Sequence, residues 1–381
     1  MRAPQDIRGF FDKAYNLIRP SKLGRAEQAR ICHEYALFAD GHYQSLSKSP
    51  ELERLRTTRD RTLAVLENIE SASKTSKSKS ASARTDQSRH QDVLEDDRAL
   101  KDLENELTTY AKTAMKMFAV SLTASDEFDD SITRLCSLWL EHDSSEEVNR
   151  SFSGPLQAIP SHKFIFLGPQ LAARLYKPKQ PVQFNSSLNS LMLRMARDHP
   201  FHILYQIITV AHGADKPANG STSSKARRTS DIPMEEGRMP AALEILDRLR
   251  GDNDRPLARD AANQMSRFTA AAVPWCHYQE KEKKSSRGEQ PQIPSGTSLL
   301  GFTNVKIPPP SVIPPVDLSK RYDHVATIQR YRTHYRILGG IHRPKRMTCI
   351  DSSGREHYEL VSTFVLEPTL EIFADSTVQR G

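Results

Sequence analysis

The residues of this chain that could do chemistry sit toward its carboxy end, where Gly339 and Gly340 are followed by Lys345. A glycine pair lets backbone amides approach an oxyanion that a side chain would hold off, so a phosphate cradle is one reading. The same pair is a common turn between two strands, and a single lysine is ordinarily a solvated surface cation. Other constellations are thinner. His33-Glu34 lacks the second histidine of a zinc-protease helix. Cys32, Cys136, Cys276 and Cys349 are far apart with no Cys-x-x-Cys pair, which points away from a zinc knuckle or a disulfide framework and toward a reducing compartment. His199 and His202 flank Pro200 and read as hydrogen-bonding residues at a helix end. No Ser-His-Asp or Cys-His arrangement follows from spacing alone.

The elements that must position the glycine pair are strands. Tyr331, Thr333, Tyr335 and Ile337 alternate with Arg330, Arg332, His334 and Arg336, which predicts one strand with a single buried face. A second strand is expected around 345–350, a turn at Asp351-Ser352-Ser353-Gly354, and a third strand from His357 to Val361. Upstream, the prolines of the stretch from Ile307 to Pro315 exclude helix and predict an extended connector.

Before about residue 280 the apolar period is helical. Phe10, Phe11, Ala14, Leu17 and Ile18 recur at three and four, as do Ala29, Cys32, Tyr35, Ala36 and Ala39. Leu103, Leu107, Tyr110, Ala114, Met117, Phe118 and Leu122 form a longer stripe. Further helices are expected at Ile132–Leu140, at Phe164–Leu175, at Leu188–Met195 and, after Pro200, at Ile203–Ala211, followed by a pair at 240–250 and 256–272. Trp139, Leu135 and Leu138 read as core. Residues 71–90 are Ser-rich, with Lys74, Lys77, Lys79, Arg84 and Arg89 against the single acid Asp86, and suit a basic linker or a loop between two long helices. Residues 213–237 are likewise rich in Gly, Ser, Pro and Lys.

The 381 residues allow two or three domains. Only 37% are hydrophobic and 7% aromatic, which suits thin helical layers with solvated linkers. No run of about eighteen apolar residues occurs, and the start lacks the apolar stretch of a signal peptide, so neither a membrane span nor secretion is expected. The 54 basic against 47 acidic residues leave a net charge of +7, compatible with mild attraction to nucleic acid and equally with a solvated surface. No aromatic residue interrupts the basic stretches, so base stacking is not suggested.

Particular strings carry a resemblance. Phe10-Phe11-Asp12-Lys13-Ala14, the stretch from Phe38 to Gln44, the stretch from Arg134 through Trp139 to Glu141, Pro160-Ser161-His162-Lys163-Phe164, the stretch from Gln170 to Arg174 and Asp198-His199-Pro200-Phe201-His202 resemble, in order, the FAT region of the phosphatidylinositol-3-kinase-related protein kinases, in the branch of the ATM and fungal telomere-maintenance kinases. Ala326-Thr327-Ile328-Gln329, the stretch from Ile337 to Lys345 and Asp351-Ser352-Ser353-Gly354 look like the start of that family's kinase amino lobe.

The resemblance implies a mainly α chain. An α-solenoid-like stack of antiparallel FAT-type helices over 1–280, with basic insertions at 71–90 and 213–237, would be followed by a polar, Pro-rich linker at 281–320. A partial α+β kinase amino lobe of about three antiparallel strands would occupy 321–361, with a divergent tail at 362–381. It further implies ATP and Mg2+ as cofactors of the complete family member, with Gly339, Gly340, Ile341 and His342 as the loop over the phosphates and Lys345 as the strand lysine that pairs with them. The family's Asp-Arg-His-x-x-Asn catalytic loop and Asp-Phe-Gly metal motif do not occur in these 381 residues, and after Leu360-Val361 the family's Gly-x-Asp-Asp-Leu-Arg-Gln-Asp stretch is replaced by Ser362-Thr363-Phe364. The expectation is therefore part of a nuclear serine/threonine kinase of DNA-damage signalling and telomere maintenance, truncated and inactive by itself. Its expected partners are the remainder of the kinase, a second copy joined through the helical region, protein substrates and DNA-break sensor complexes. A non-catalytic helical-repeat scaffold is the alternative.

Overall fold

The computed structural model describes residues 4–18, 24–73, 83–180, 182–212, 232–278, 290–339 and 344–361. They form two compact units, Met1–Pro160 and Ser161–Gly381.

The first unit is helical: α1 (Pro4–Ile18), α2 (Arg25–Ser47), α3 (Pro50–Ser73), α4 (Ala83–Ala124), α5 (Ser131–Glu141) and α6 (Glu146–Ala158). The long α4 is the spine, with α2, α3, α5 and α6 packed on it. The predicted α2 stripe is buried throughout, from Ala29 to Ala39, as are Ala111, Ala114 and Met115 of α4, the helix on which α2 packs. Leu52 and Leu55 of α3 close a smaller cluster with Leu100 and Leu107. Pro50 suits the first turn of α3, where its missing N–H costs nothing, and Ser49 Oγ accepts from the amide of Leu52 at 3.2 Å as the cap. Helix α1 departs from expectation. Phe11 stacks on Tyr35 at 4.9 Å, but Phe10 and Leu17 are 55% and 73% exposed, so the predicted stripe does not lie on one packed face.

In the second unit a 3-10 turn (Ser161–Leu167) precedes α7 (Gly168–Ala173), α8 (Gln183–Asp198), α9 (Pro200–His212), α10 (Ile232–Arg250) and α11 (Pro256–His277). The continuous helix expected over Phe164–Leu175 is split at Gly168-Pro169, because a residue before proline avoids the α region and proline cannot donate to the preceding turn; Phe166 is left exposed. Helix α9 is touched by α7, α8, α10 and α11 and is apolar on most sides, with Ile203, Leu204, Ile207 and Ile208 wholly buried.

The sheet has four antiparallel strands: β1 (Ile328–Tyr331), β2 (Arg336–Ile337), β3 (Lys345–Asp351) and β4 (Glu356–Val361). The single strand expected over 330–337 is two, both lying along one edge of β3 while β4 takes the other. Tyr331 pairs with Cys349 and Arg336 with Arg346, so the outgoing chain takes five steps where β3 takes three, and the surplus is a bulge that breaks the alternation. As a result Tyr331 and Tyr335 are buried while Thr333 and Ile337 are not. The inner face of the sheet rests on α11, where Phe268 stacks with Tyr331 at 6.1 Å and Trp275, two turns further on, meets Tyr335 edge-on at 5.0 Å. The segment before the sheet is not free of it: Val305 bridges Ile328, Ile307 O accepts from the Ile328 amide, and Gln292 bridges His334.

Of the expected basic insertions, residues 71–73 and 83–90 are helix ends of α3 and α4 and 232–237 open α10, while 74–82 and 213–231 lie outside the described residues. The tail 362–381 lies outside them as well.

Candidate functional site

Gly339 follows β2 on the side where β2 and β3 connect as a hairpin. Gly339 is exposed, and a methyl group built on it would meet nothing within 4 Å among the described residues. Gly340, Ile341 and His342 lie outside the described residues.

Lys345 opens β3 and shares the inner face with Met347 and Cys349, by the two-residue period of a strand. Its ammonium donates to the carbonyls of Trp275 at 2.9 Å and Cys276 at 3.2 Å, and lies 5.0 Å from the centre of the Trp275 ring and 5.8 Å from that of Tyr278. They lie at the carboxy end of α11, where the helix dipole favours a cation, and the Trp275 carbonyl also accepts from the Tyr278 amide at 3.2 Å. Burial lowers the lysine pKa, with the neighbouring Cys276 acting in the opposite sense. In this geometry Lys345 ties the root of the hairpin to α11. A phosphate contact would require it to leave two carbonyls and two aromatic faces.

Behind the same face lies a buried acid that sequence reasoning missed. Glu359 pairs with Met347 across the β3–β4 ladder and is 1% exposed. Its one hydrogen bond is from Tyr331 Oη at 2.8 Å, and its Oε1 has no partner among the described residues. Burial raises its pKa to about 8, and the Tyr331 bond only partly offsets this, so the side chain is a neutral acid at pH 7. Burial also drives the Tyr331 and Tyr205 hydroxyls far above the ordinary tyrosine range. The alternating pattern of the segment from Glu356 to Val361 places Glu359 on a face, but nothing in that pattern marks the face as buried.

The Asp198-His199-Pro200 string holds the proline-rich segment. His199 Nδ1 lies 2.7 Å from Tyr322 Oη, His202 Nδ1 lies 3.3 Å from the same hydroxyl, and His202 Nε2 donates to the Pro314 carbonyl at 2.9 Å. Asp198 accepts from Ser161 at 2.7 Å and pairs with Lys320 at 2.9 Å. Burial lowers both histidines, His199 to about 4, so both are neutral at pH 7. The two histidines are hydrogen-bonding residues at the α8–α9 junction, as their place beside Pro200 suggests. The Asp317 turn presents Tyr322, with Asp317 accepting from the amides of Ser319, Arg321 and Tyr322, while Lys320 and Tyr322 take positive φ values of 63° and 54°. Hydrogen bonds hold the Asp317 carboxyl down at about 2, led by the one with the Ser319 side chain and then the one from the Tyr322 amide.

In the first unit, Arg134 of α5 forks onto Asp40 of α2, with Nη2 to Oδ1 at 2.7 Å and Nε to Oδ2 at 2.9 Å, and reaches Glu141 at 3.1 Å. Trp139 is buried as expected and donates to Asn149 Oδ1 at 2.8 Å. Two of the strings that carry the family resemblance, around Asp40 and around Arg134, are thus one ionic joint.

Among the described residues no three His, Cys, Asp or Glu side chains gather where they could hold a metal ion, and no described helix is long and apolar enough to cross a membrane.

No protein-family model matches the chain. Over 368 residues it is 34% identical to the serine/threonine-protein kinase TEL1 of Cryptococcus neoformans, a match covering 94% of this chain and 12% of that protein. It is 30% identical over 276 residues to the serine-protein kinase ATM of Sus scrofa, covering 70% of this chain and 9% of the relative. The chain therefore spans about an eighth of the length of the first of these. Among solved structures, the FAT and kinase domain of CtTel1 superposes with a TM-score of 0.71 at 23% identity, covering 94% of this chain and 23% of that one, and the complete CtTel1 dimer with C2 symmetry gives the same score.

Proposed function

Because the chain is homologous over nearly all its length to the Tel1/ATM serine/threonine-protein kinases, we propose that it is the part of such a kinase in which helical FAT layers run into the first strands of the nucleotide lobe. On this reading the complete protein is a nuclear, ATP- and Mg2+-dependent kinase that signals DNA damage and maintains telomeres. It would act on protein substrates with DNA-break sensor complexes as partners, and dimerise through its helical region. The CtTel1 dimer among the similar folds supports dimerisation.

The observation that carries the reading is the β2–β3 hairpin, with Gly339 following β2 on its connecting side. ATP would supply the phosphoryl group. Gly339, Gly340, Ile341 and His342 would cover its phosphates with backbone amides, a role for which small residues suit. Lys345 would fix the root of that loop to α11, since its ammonium is bound to the Trp275 and Cys276 carbonyls. The described residues offer no acid cluster for magnesium. We assign no phosphotransfer to the 381 residues alone, because neither the catalytic-loop motif nor the Asp-Phe-Gly motif occurs in them.

Photolabelling with 8-azido-ATP tests this. The chain should be labelled near the β2–β3 hairpin, and excess ATP should suppress the label. Lys345→Met should weaken labelling by loosening the loop, and it should also lower the unfolding temperature. Labelling that ATP does not compete away would reject nucleotide binding and leave the helical scaffold reading.

A further inference from the structure

The side chains that tie the proline-rich segment to the α8–α9 junction also fix where each proton sits. The Pro314 carbonyl can only accept, so His202 Nε2, 2.9 Å away, carries a hydrogen and donates to it. In a neutral imidazole the other nitrogen is then an acceptor, and His202 Nδ1 faces the Tyr322 hydroxyl at 3.3 Å. That hydroxyl has one hydrogen to give and a second nitrogen beside it, His199 Nδ1 at 2.7 Å. If it donates to His202, His199 Nδ1 is the N–H that donates to the tyrosine oxygen. The reverse arrangement would put a hydrogen on His199 Nε2, which is buried without a partner among the described residues, and would leave His202 Nδ1 without a donor as well. Two unpaired buried groups cost more than one. The bonds therefore run one way, from His199 to the Tyr322 hydroxyl, from that hydroxyl to His202, and from His202 to the Pro314 carbonyl.

Each link needs a neutral ring. A proton on His202 Nδ1 turns the acceptor of this chain into a second donor, and a proton on His199 Nε2 places a hydrogen where no described group accepts it. The surrounding groups do not relieve the conflict. Burial is the main influence against a charge on His199. Asp198 favours one, while His202, His162 on the 3-10 turn and Lys320 oppose it. Asp198 also faces Lys320, at 2.9 Å, and Arg194. At His202 burial leads again, and the bond to Pro314 acts in the opposite sense.

We propose that this chain of bonds is a proton-sensitive clasp: it holds Pro314 and Tyr322 on the α8–α9 junction while both imidazoles are neutral, and a proton on either ring releases them. An imidazole freed from the clasp ionises near its ordinary 6.5, whereas His199 in place does so near 4. The hold is complete above about 6.5 and weakens as pH falls toward 4. Although burial works against it, the bonds from Lys320 and Ser161 keep Asp198 below the usual carboxylate range, so that ion pair outlasts the histidine bonds. Lys320 is then the tether on which the segment reopens and closes.

Two measurements on the 381-residue chain test the clasp. Nitrogen NMR of the histidine rings at pH 7.5 should find opposite tautomers, with the hydrogen on Nδ1 of His199 and on Nε2 of His202. The same tautomer in both, or a charge on either, would overturn it. Amide hydrogen exchange over 311–325, corrected for its intrinsic pH dependence, should lose protection by roughly thirtyfold between pH 7.5 and 5 from His199 alone, the ratio set by ionisation near 6.5 when free and near 4 in place. The β3–β4 ladder should lose none. Tyr322→Phe should lose about tenfold already at pH 7.5, the scale of one hydrogen bond. The double variant His199→Asn with His202→Gln keeps a donor at each place and cannot take the proton, so it should stay protected and become flat with pH. Protection of 311–325 that is flat in wild type, that falls only together with the ladder, or that keeps its slope in the double variant would overturn the clasp.

Discussion

Asp40 in the first unit and Glu359 in the second are both buried carboxyls, at 5% and 1% exposure, and they are met in opposite ways. Asp40 faces Arg134, whose fork supplies two donors and a full opposite charge, and the guanidinium's own pKa is raised chiefly by that bond. Glu359 receives a single side-chain hydrogen bond among the described residues, from the Tyr331 phenol, so desolvation wins and the proton stays on. The lesson is that burial alone does not set the state of an acid. A planar cation on the adjacent helix makes it an ionic joint, and a neutral donor on the adjacent strand makes it a proton-holding core residue.

Three substitutions break or sharpen this contrast. Arg134→Ala is expected to have the largest effect, because it strands a buried Asp40. The cost is about 3 kcal/mol, at the low end for buried pairs since part of Arg134 is solvated, and a urea unfolding midpoint measures it. Wild-type stability around Glu359 should depend on pH. The unfolded carboxyl ionises near 4.5 and the folded one near 8, so the folded state holds a proton that the unfolded state has released between those values. The contribution is complete below about 4.5 and is lost as pH rises toward 8. Glu359→Gln should remove that slope in unfolding temperatures taken at pH 5, 7 and 8, and an unchanged slope would place the proton elsewhere. The smallest effect is expected of Tyr331→Phe. It deletes the one donor to Glu359, costs about 1 kcal/mol at neutral pH and moves the midpoint of the pH profile upward, because the hydrogen bond favours the ionised form.

How far the chain could be read without its fold differs between the two units in the same way. The α2 stripe from Ala29 to Ala39 and the α4 residues Leu107, Tyr110, Ala114 and Phe118 are buried as their spacing requires, since one face of a helix suffices to state the partner's direction. Helix α1 has the same spacing and exposes Phe10 and Leu17, because periodicity marks an apolar face without supplying a neighbour to cover it. In the sheet the alternation from Arg330 to Ile337 marked strand character but hid the bulge, which depends on the register with β3 and not on any residue in the run. Gly339 was legible as a hairpin end. The placement of Lys345 was not, for its partners Trp275 and Cys276 lie about seventy residues away at a helix terminus.

By itself the sequence determined the element types, the order of helices before strands and the residues that relate the chain to a kinase family. Each of these is local or matched string by string. Only the tertiary structure decided that the Glu359 carboxyl keeps its proton, which face of β3 Lys345 occupies and which arginines stand opposite one another. Those outcomes depend on distance and solvent access between residues that the chain brings together from far apart, and a pattern of types along one strand does not contain them.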